Sequence, residues 1–414
     1  MRNILSPENT FVIVGGGLAA GRAAEALREH GHTGRLVVIG DEPQRPYTRP
    51  PLSKGYLLGT EARESLEVHP EDWYAEHDVD LLLDTSVTAL DWRARAVEVD
   101  GGHRLSYAKL LLATGSSPRR LSVPGADLDN VLYLRRVGDS DRLKAAFTPG
   151  ARIVVIGAGW IGLETAAAAR TAGAQVTVLE HSELPLLKVL GREAAEVFAG
   201  LHIDHGVDLR PNVQVERITG TQGRADGVRL ADGGHVAADA VVVGIGITPN
   251  AHLAQDAGLE VRDGIVTDAH LRTSVPDVYA AGDVANAYHP FLDRHIRVEH
   301  WANALHQPYT AARAMLGADA VHDRLPYFYT DQYDLGMEYT GYAEPGGYDR
   351  VVFRGDVTER RFIAFWTAGN RVLAGMSVNV WDVMDPIRSL ITSRSKVDPA
   401  LLADPGVPLD QVVS

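Results

Sequence analysis

The chain has 414 residues, enough for two or three domains of ~150 residues and an ample core. Its formal net charge of −14 argues against a nucleic-acid partner, which favours a basic face, and no run approaches the ~18 apolar residues that a membrane helix needs. Cysteine is absent, so this chain supplies no disulfide, thiolate nucleophile, iron–sulfur ligand or redox-active cysteine pair.

The first predicted strand is TFVIV at 10–14, followed by GGGLAAG, a helical run RAAEALREH and a second apolar strand, RLVVIG. No signal peptide is visible ahead of it, so the expected location is cytoplasmic. Residues 46–56, PYTRPPLSKGY, read as a loop. Its prolines fix φ and restrict the residues before them, stiffening the backbone around Arg49 and Lys54. KLLLATG is a buried strand closed by a glycine turn. The strand, glycine turn, helix, strand unit then recurs at 152–180 as RIVVI, GAGWIG, LETAAAARTAG and AQVTVLE. With no shorter period present, this is a domain-scale duplication. His202 and His205 have the spacing of a metal pair, but no second ligand pair accompanies them. They read as helix surface, and no metal is expected. ADAVVVGIG is a further strand, VYAAGDVA a strand and a helix start, and ANALHQPYTAARAML a helix. From about Leu325 strands carry aromatics and a basic helix-like segment follows, which suggests a separate α+β domain with a proline-punctuated surface tail.

Each glycine turn fits a dinucleotide. The first reads Gly15-x-Gly17-x-x-Ala20, the second Gly157-x-Gly159-x-x-Gly162. The first glycine permits the tight turn, the next lets a pyrophosphate approach the backbone, and the small third residue lets helix and strand pack closely. The pyrophosphate then meets the free N–H groups and dipole of the helix N-terminus. Each unit also has an acid at the end of its second strand for a ribose: Asp41, with Glu42 beside it, and Glu180, 23 residues after Gly157 (180 − 157). Glu180 would repel a 2′-phosphate, and His181-Ser182 supplies no arginine to hold one, which favours NADH over NADPH. Two dinucleotide sites in one chain point to a flavin that accepts hydride from a nicotinamide.

In RPPLSK, LLLATG, IGLE, GIGITPN and AAGD the sequence resembles, over nearly its whole length, the two-dinucleotide-binding flavoproteins, most closely the FAD-dependent NADH:ferredoxin reductases of bacterial oxygenase systems. The resemblance implies an α/β fold with two Rossmann-like, glutathione-reductase-like domains and a C-terminal α+β interface domain. The expected boundaries are 1–118 and 247–322 for FAD, 119–246 for NAD and 323–414 for the interface domain. It implies FAD contacts at Gly15, Gly17, Ala19, Ala20, Asp41, Val87, Thr114, Gly115, Arg135, Gly282 and Asp283, with Arg49 near the phosphates. Asp283 would bind a ribitol hydroxyl, and the helix starting at Trp301 would face the flavin N1–O2 edge. Gly157, Gly159, Ile161, Gly162, Glu180 and Gly246 fall to NADH. Lys54 matches the lysine at the flavin N5–O4 edge, and Glu164 the glutamate that pairs with it from the first turn of the NAD-domain helix. Where such reductases often read PW-aromatic-WSDQ, this chain reads Pro326-Tyr327-Phe328-Tyr329-Thr330-Asp331-Gln332. The tyrosines keep aromatic cover and change its size and electronics.

Without cysteines, activities of this fold that need a redox cysteine are excluded. A [2Fe–2S] ferredoxin serving a cytochrome P450 or other oxygenase is the expected electron acceptor, with the protein a monomer or weak homodimer. The alternatives are a rubredoxin or quinone-type acceptor, or an NADH-sensing flavoprotein of the apoptosis-inducing-factor kind. An acidic ferredoxin needs a local basic patch. Arg119, Arg120, Arg388, Arg394 and Lys396 are candidates, with ordinary salt-bridged surface residues as the other reading.

Overall fold

The computed structural model describes residues 9–413 and divides the chain into two compact units. The first contains the chain through Arg49, then Ala62–Ser117 and Ile247–Arg324. The second contains Pro50–Glu61, Pro118–Gly246 and the chain from Leu325 on.

At the centre of the first unit is a five-stranded parallel sheet. Its order is Val278–Ala280, Lys109–Leu112, Phe11–Val14, Leu36–Ile39 and Val79–Leu82. Parallel strands are buried on both faces, which is why these segments read as unbroken apolar runs. Alternate residues divide between two cores. Phe11, Ile13, Leu36, Val38 and Leu111 face the helices Leu18–Glu29 and Trp301–Met315. Val12, Val14, Val37, Ile39, Leu110 and Leu112 face the other way, with Leu90 and Val97 of a three-stranded antiparallel sheet and Leu253 of the helix His252–Asp256.

The second unit repeats the plan. Its parallel sheet runs Val131–Leu132, Ala240–Val243, Arg152–Ile156, Gln175–Leu179 and Asp208–Arg210. Again the strand that precedes the glycine turn is central, and again an antiparallel three-stranded sheet (Val215–Thr221, Arg224–Leu230, His235–Ala237) covers one face. The other face carries the helix Trp160–Thr171.

The same unit holds a five-stranded antiparallel sheet in the order Tyr327–Gln332, Leu335–Gly341, Arg371–Val378, Arg361–Ala368 and Arg350–Asp356, with the helix Met384–Ser393 against it. This is the α+β segment expected from Leu325 onward. It shares one core with the second parallel sheet, in which Phe328, Trp366 and Met376 join Ile153, Leu163 and Phe198. The fold is therefore α/β with two dinucleotide-type sheets and an α+β C-terminal segment. Among the described residues no helix is long and apolar enough to cross a membrane.

Trp366 is 1% exposed, and its indole Nε1 donates to the Leu190 carbonyl at 3.0 Å. Trp366→Ala removes both a large core volume and that donor. Urea unfolding is expected to show a loss of about 3–5 kcal/mol.

Candidate functional site

The glycine turns separate two reasons for being glycine. At Gly15 φ is +132° and a Cβ would lie 2.1 Å from the Ala113 carbonyl oxygen; at Gly157 φ is +97° and a Cβ would lie 2.5 Å from that of Gly244. A Cβ at Gly162 would lie 2.1 Å from the Gly157 oxygen. The protein's own backbone forbids side chains at these three positions. Gly17 and Gly159 differ. Their φ values are −96° and −77°, open to any residue. A Cβ at Gly17 would meet only Arg49 Nη2 at 3.8 Å, and at Gly159 only the Gly244 oxygen at 4.0 Å, both ordinary contacts. Nothing in the protein requires glycine there, and the space is left clear for a ligand. Gly17 and Gly159 are the N-caps of twelve-residue helices, neither with a side-chain cap or an acid in its first turn. Such an end offers unsatisfied N–H groups and the positive pole of the dipole. Both cradles fit a pyrophosphate.

Around the first cradle, several predicted residues follow the carboxyl ends of parallel strands, where ligands of open α/β sheets bind. Asp41 is exposed just beyond Leu36–Ile39. Glu42 is buried and accepts from Tyr47 Oη at 2.6 Å and Arg49 Nη2 at 2.8 Å. Thr114 and Gly115 follow Lys109–Leu112; Thr114 Oγ1 donates to the Asn250 carbonyl at 2.8 Å, and Gly115 has φ +66°. Gly282, with φ +81°, donates its N–H to Gln307 Oε1 at 2.9 Å, and Asp283 accepts from Ser116 Oγ at 2.7 Å. Ala19 and Ala20 are buried in the first turn of the Leu18–Glu29 helix, and Trp301 opens its own helix at the surface. Val87 lies apart from these, half-buried in the antiparallel sheet opposite Val99.

In the second unit, Glu180 accepts from the Ala158 N–H at 2.7 Å and the Ser182 N–H at 2.6 Å. It pins the glycine turn and keeps lone pairs for a ribose hydroxyl. Ile161 is exposed in the first helical turn, and Gly246, with φ +101°, accepts from the Arg119 N–H at 2.9 Å. Arg135 donates its backbone N–H to Asp139 Oδ2 at 3.0 Å, at the start of the helix Val137–Ala146.

The structure brings Lys54 and Glu164 together within this unit. Lys54 Nζ is 2.7 Å from Glu164 Oε1. The stretch that reads as a loop is folded, with a 3₁₀ turn over Pro50–Ser53 and a helical turn over Gly55–Leu58. Prolines suit the first positions of such turns, where no N–H is required. The segment is anchored where Ser140 Oγ donates to the Leu52 carbonyl at 2.8 Å, Tyr56 Oη donates to Asp141 at 2.5 Å and Leu57 enters the core. Glu164 is the fifth residue of Trp160–Thr171, beyond the first turn where it was expected. The helix dipole is weak that far in. Its compensation comes from Lys54, from Thr330 Oγ1 at 2.6 Å and from Ser53 Oγ. Tyr329 lies under Lys54 Nζ at 5.5 Å, and burial pushes its phenol up to about 12, so it stays neutral.

A family model described as pyridine nucleotide-disulphide oxidoreductase matches residues 9–307, and one described as reductase C-terminal matches residues 327–413. The chain belongs to the pyridine nucleotide-disulphide oxidoreductase family. It is 41% identical to the anthranilate 1,2-dioxygenase system ferredoxin–NAD(+) reductase component of Burkholderia cepacia, over 96% of this chain and 98% of that one. It is 37% identical to putidaredoxin reductase of Pseudomonas putida, over 99% and 98%. Its fold superimposes on the reductase in the crystal structure of the covalent putidaredoxin reductase–putidaredoxin complex with a TM-score of 0.94, covering 98% of each chain. The chain is an oxidoreductase, and in a family named for disulfides it carries no cysteine.

One sequence reading is overturned here. His202 is fully buried, not helix surface, and its Nε2 lies 2.8 Å from Gln332 Oε1. Phe198, Leu201 and His202 share the buried stripe of Arg192–Asp204. His205 stacks on Tyr333 with ring centroids 3.8 Å apart. Among the described residues no group of His, Asp and Glu is arranged to hold a metal. Ser53, Thr330 and Gln332, all buried near Glu164, were missed. Their only sequence signals are the TDQ run for Thr330 and Gln332 and, for Ser53, its place beside Lys54 in PPLSK.

The two kinds of glycine separate by substitution. Gly162→Ala is expected to destabilise the fold by about 1–3 kcal/mol through overpacking. Gly159→Ala is expected to leave the thermal midpoint in place while weakening NADH binding by roughly tenfold or more. Thermal denaturation and fluorescence titration distinguish them.

Burial pushes the His202 imidazole down to about 4 from 6.5. The unfolded chain therefore takes up this proton first, so stability is present above pH ~6.5 and is lost as pH falls toward ~4, on the order of 3 kcal/mol in all. His202→Gln is expected to flatten that part of the acid limb in urea midpoints measured against pH.

Proposed function

We propose that the chain is an NADH-dependent ferredoxin reductase carrying FAD, and that it passes single electrons to a [2Fe–2S] ferredoxin serving a P450 or other oxygenase. One observation carries the reading: two cleared dinucleotide cradles in a chain without cysteine. Electrons taken from a nicotinamide have no thiol in this chain to go to, so they leave for an external acceptor. FAD, when bound, supplies acceptance of a hydride and release of its two electrons one at a time.

In this reading the domains are 1–118 with 247–322 for FAD, 119–246 for NADH and 323–414 for the interface. The first cradle, Gly15 to Ala20, binds the FAD pyrophosphate, with Arg49 adding positive charge. Asp283 accepts from a ribitol hydroxyl, and Asp41 and Glu180 accept from the two adenosine riboses. Glu164 holds Lys54 as a fixed cation at the flavin's reactive edge. There it stabilises negative charge that develops on reduction, in surroundings poor in water. The protein works in the cytoplasm as a monomer or weak homodimer. These assignments are supported by the glycine geometry, the Lys54–Glu164 pair and the likeness to ferredoxin reductases.

Steady-state NADH oxidation tests the function. Fast ferricyanide reduction, together with cytochrome c reduction that requires an added [2Fe–2S] ferredoxin, is expected. Cytochrome c reduction supported by rubredoxin and by no ferredoxin would overturn the acceptor. A persistent long-wavelength absorbance band, with an NADH-induced increase in size and little turnover, would overturn the enzyme reading. Lys54→Met is expected to retain FAD and to slow flavin reduction by NADH at least roughly tenfold in stopped flow.

A further inference from the structure

The second unit contains a continuous chain of polar groups, buried along its middle, that runs from the half-buried Tyr333 to Lys54. Tyr333 Oη is 3.4 Å from His202 Nδ1, and His202 Nε2 is 2.8 Å from Gln332 Oε1. Gln332 Nε2 is 3.1 Å from Thr330 Oγ1, Thr330 Oγ1 is 2.6 Å from Glu164 Oε1, and that oxygen is 2.7 Å from Lys54 Nζ. His202, Gln332, Thr330 and Glu164 are at most 4% exposed. Only the last link has a role in the function proposed above.

The chain has a polarity, and it follows from the carboxylate. An ionised Glu164 can only accept, so the single hydroxyl proton of Thr330 goes to it. Thr330 Oγ1 must then accept from Gln332, whose amide nitrogen faces it. The Gln332 oxygen consequently faces His202, which must present an N–H at Nε2. Burial keeps that ring neutral, so Nδ1 is the acceptor for Tyr333. Every donor therefore points toward Glu164. A reversal at any link would leave a buried polar atom without a partner, which is costly.

We propose that His202, Gln332 and Thr330 are positioning residues that fix the Glu164 carboxylate and, through it, the Lys54 ammonium. The inference rests on the reading of Lys54 as the cation at the flavin. Lysine is a flexible point charge on a four-carbon stem, and a cation useful to a reaction must be held in place. A carboxylate with one fixed oxygen could rotate. Here Oε1 is held by Thr330 and Lys54, and Oε2 accepts from Ser53. Thr330 is itself oriented by Gln332, and Gln332 by an imidazole from a different helix. The three groups thus turn a mobile side chain into a placed charge.

The first test does not depend on turnover. Histidine ¹⁵N NMR of the FAD-loaded protein at neutral pH is expected to show His202 as the Nε2–H tautomer, with Gln332→Leu abolishing that preference. An Nδ1–H tautomer in the wild type would overturn the ordered chain. The second test is kinetic. Thr330→Val and Gln332→Leu are expected to slow flavin reduction by NADH by about tenfold, the first through loss of a hydrogen bond to the Glu164 carboxylate and the second through loss of the bond that orients Thr330. FAD content and the NADH dissociation constant should not change. Thr330→Ser is expected to restore the rate, which a packing effect would not do. In a Lys54→Met background the same substitutions should have no further effect. Equal slowing in that background, or wild-type rates for Thr330→Val and Gln332→Leu while Lys54→Met alone is slow, overturns the positioning role. A wild-type rate in Lys54→Met itself overturns instead the reading of Lys54 on which it rests. If Thr330→Val does not accumulate as folded protein, Gln332→Leu and His202→Gln carry the same comparison.

Discussion

A carboxylate buried to 4% exposure is the constraint around which the second unit is arranged. Taking Glu164 out of water is expensive unless a cation and hydrogen bonds replace the solvent. The replacements come from segments far apart in the chain: Ser53 and Lys54 lie more than a hundred residues before Glu164, and Thr330 is 166 residues after it. The carboxylate therefore dictates how the Pro50–Ser53 turn, the Trp160–Thr171 helix and the Tyr327–Gln332 strand meet. A buried pair of this kind is seldom the most stable choice, since well-packed apolar residues often do as well or better. Its presence is better explained by the placed charge that it provides than by stability.

The parallel sheets obey a different constraint, and they obey it twice. In each, the central strand ends in a glycine whose backbone conformation and close approach to a neighbouring carbonyl admit no side chain. That contact lets the turn pass from strand to helix in three residues. The following glycine is free of it, and its missing side chain leaves the helix N-terminus open. Charge complementarity then favours an anion at that end. In a chain of net charge −14 the long-range field is unfavourable to an anion, so the local backbone dipoles at such an end matter the more.

Much of this was legible in the sequence because it is local. Strand runs, glycine spacing and the helix that follows fall within thirty residues, and burial on both faces leaves an unbroken apolar signature. The α+β character after Leu325 was legible for the same reason, in alternating aromatic strands. Glu164 and Lys54 were legible only through resemblance, since nothing near either residue announces a partner. His202 has metal-pair spacing to His205, but its i,i+4 spacing to Phe198 is what places it on the buried face. Its partner Gln332 is 130 residues away, beyond any pattern of helical or strand period.

The polar chain and the cysteine-free composition bear on the same problem. Without a thiol, the chain itself offers no covalent store for electrons, and its side chains act on them electrostatically. A fixed cation serves only if its position survives thermal motion, and an isolated lysine in a polar pocket would sample several rotamers. Anchoring it through a carboxylate, a hydroxyl, an amide and a neutral imidazole recruits three elements of one core, the helices Trp160–Thr171 and Arg192–Asp204 and the strand Tyr327–Gln332. The donors are aligned toward the anion, so each link polarises the next, and the field at Lys54 depends on groups that never touch it.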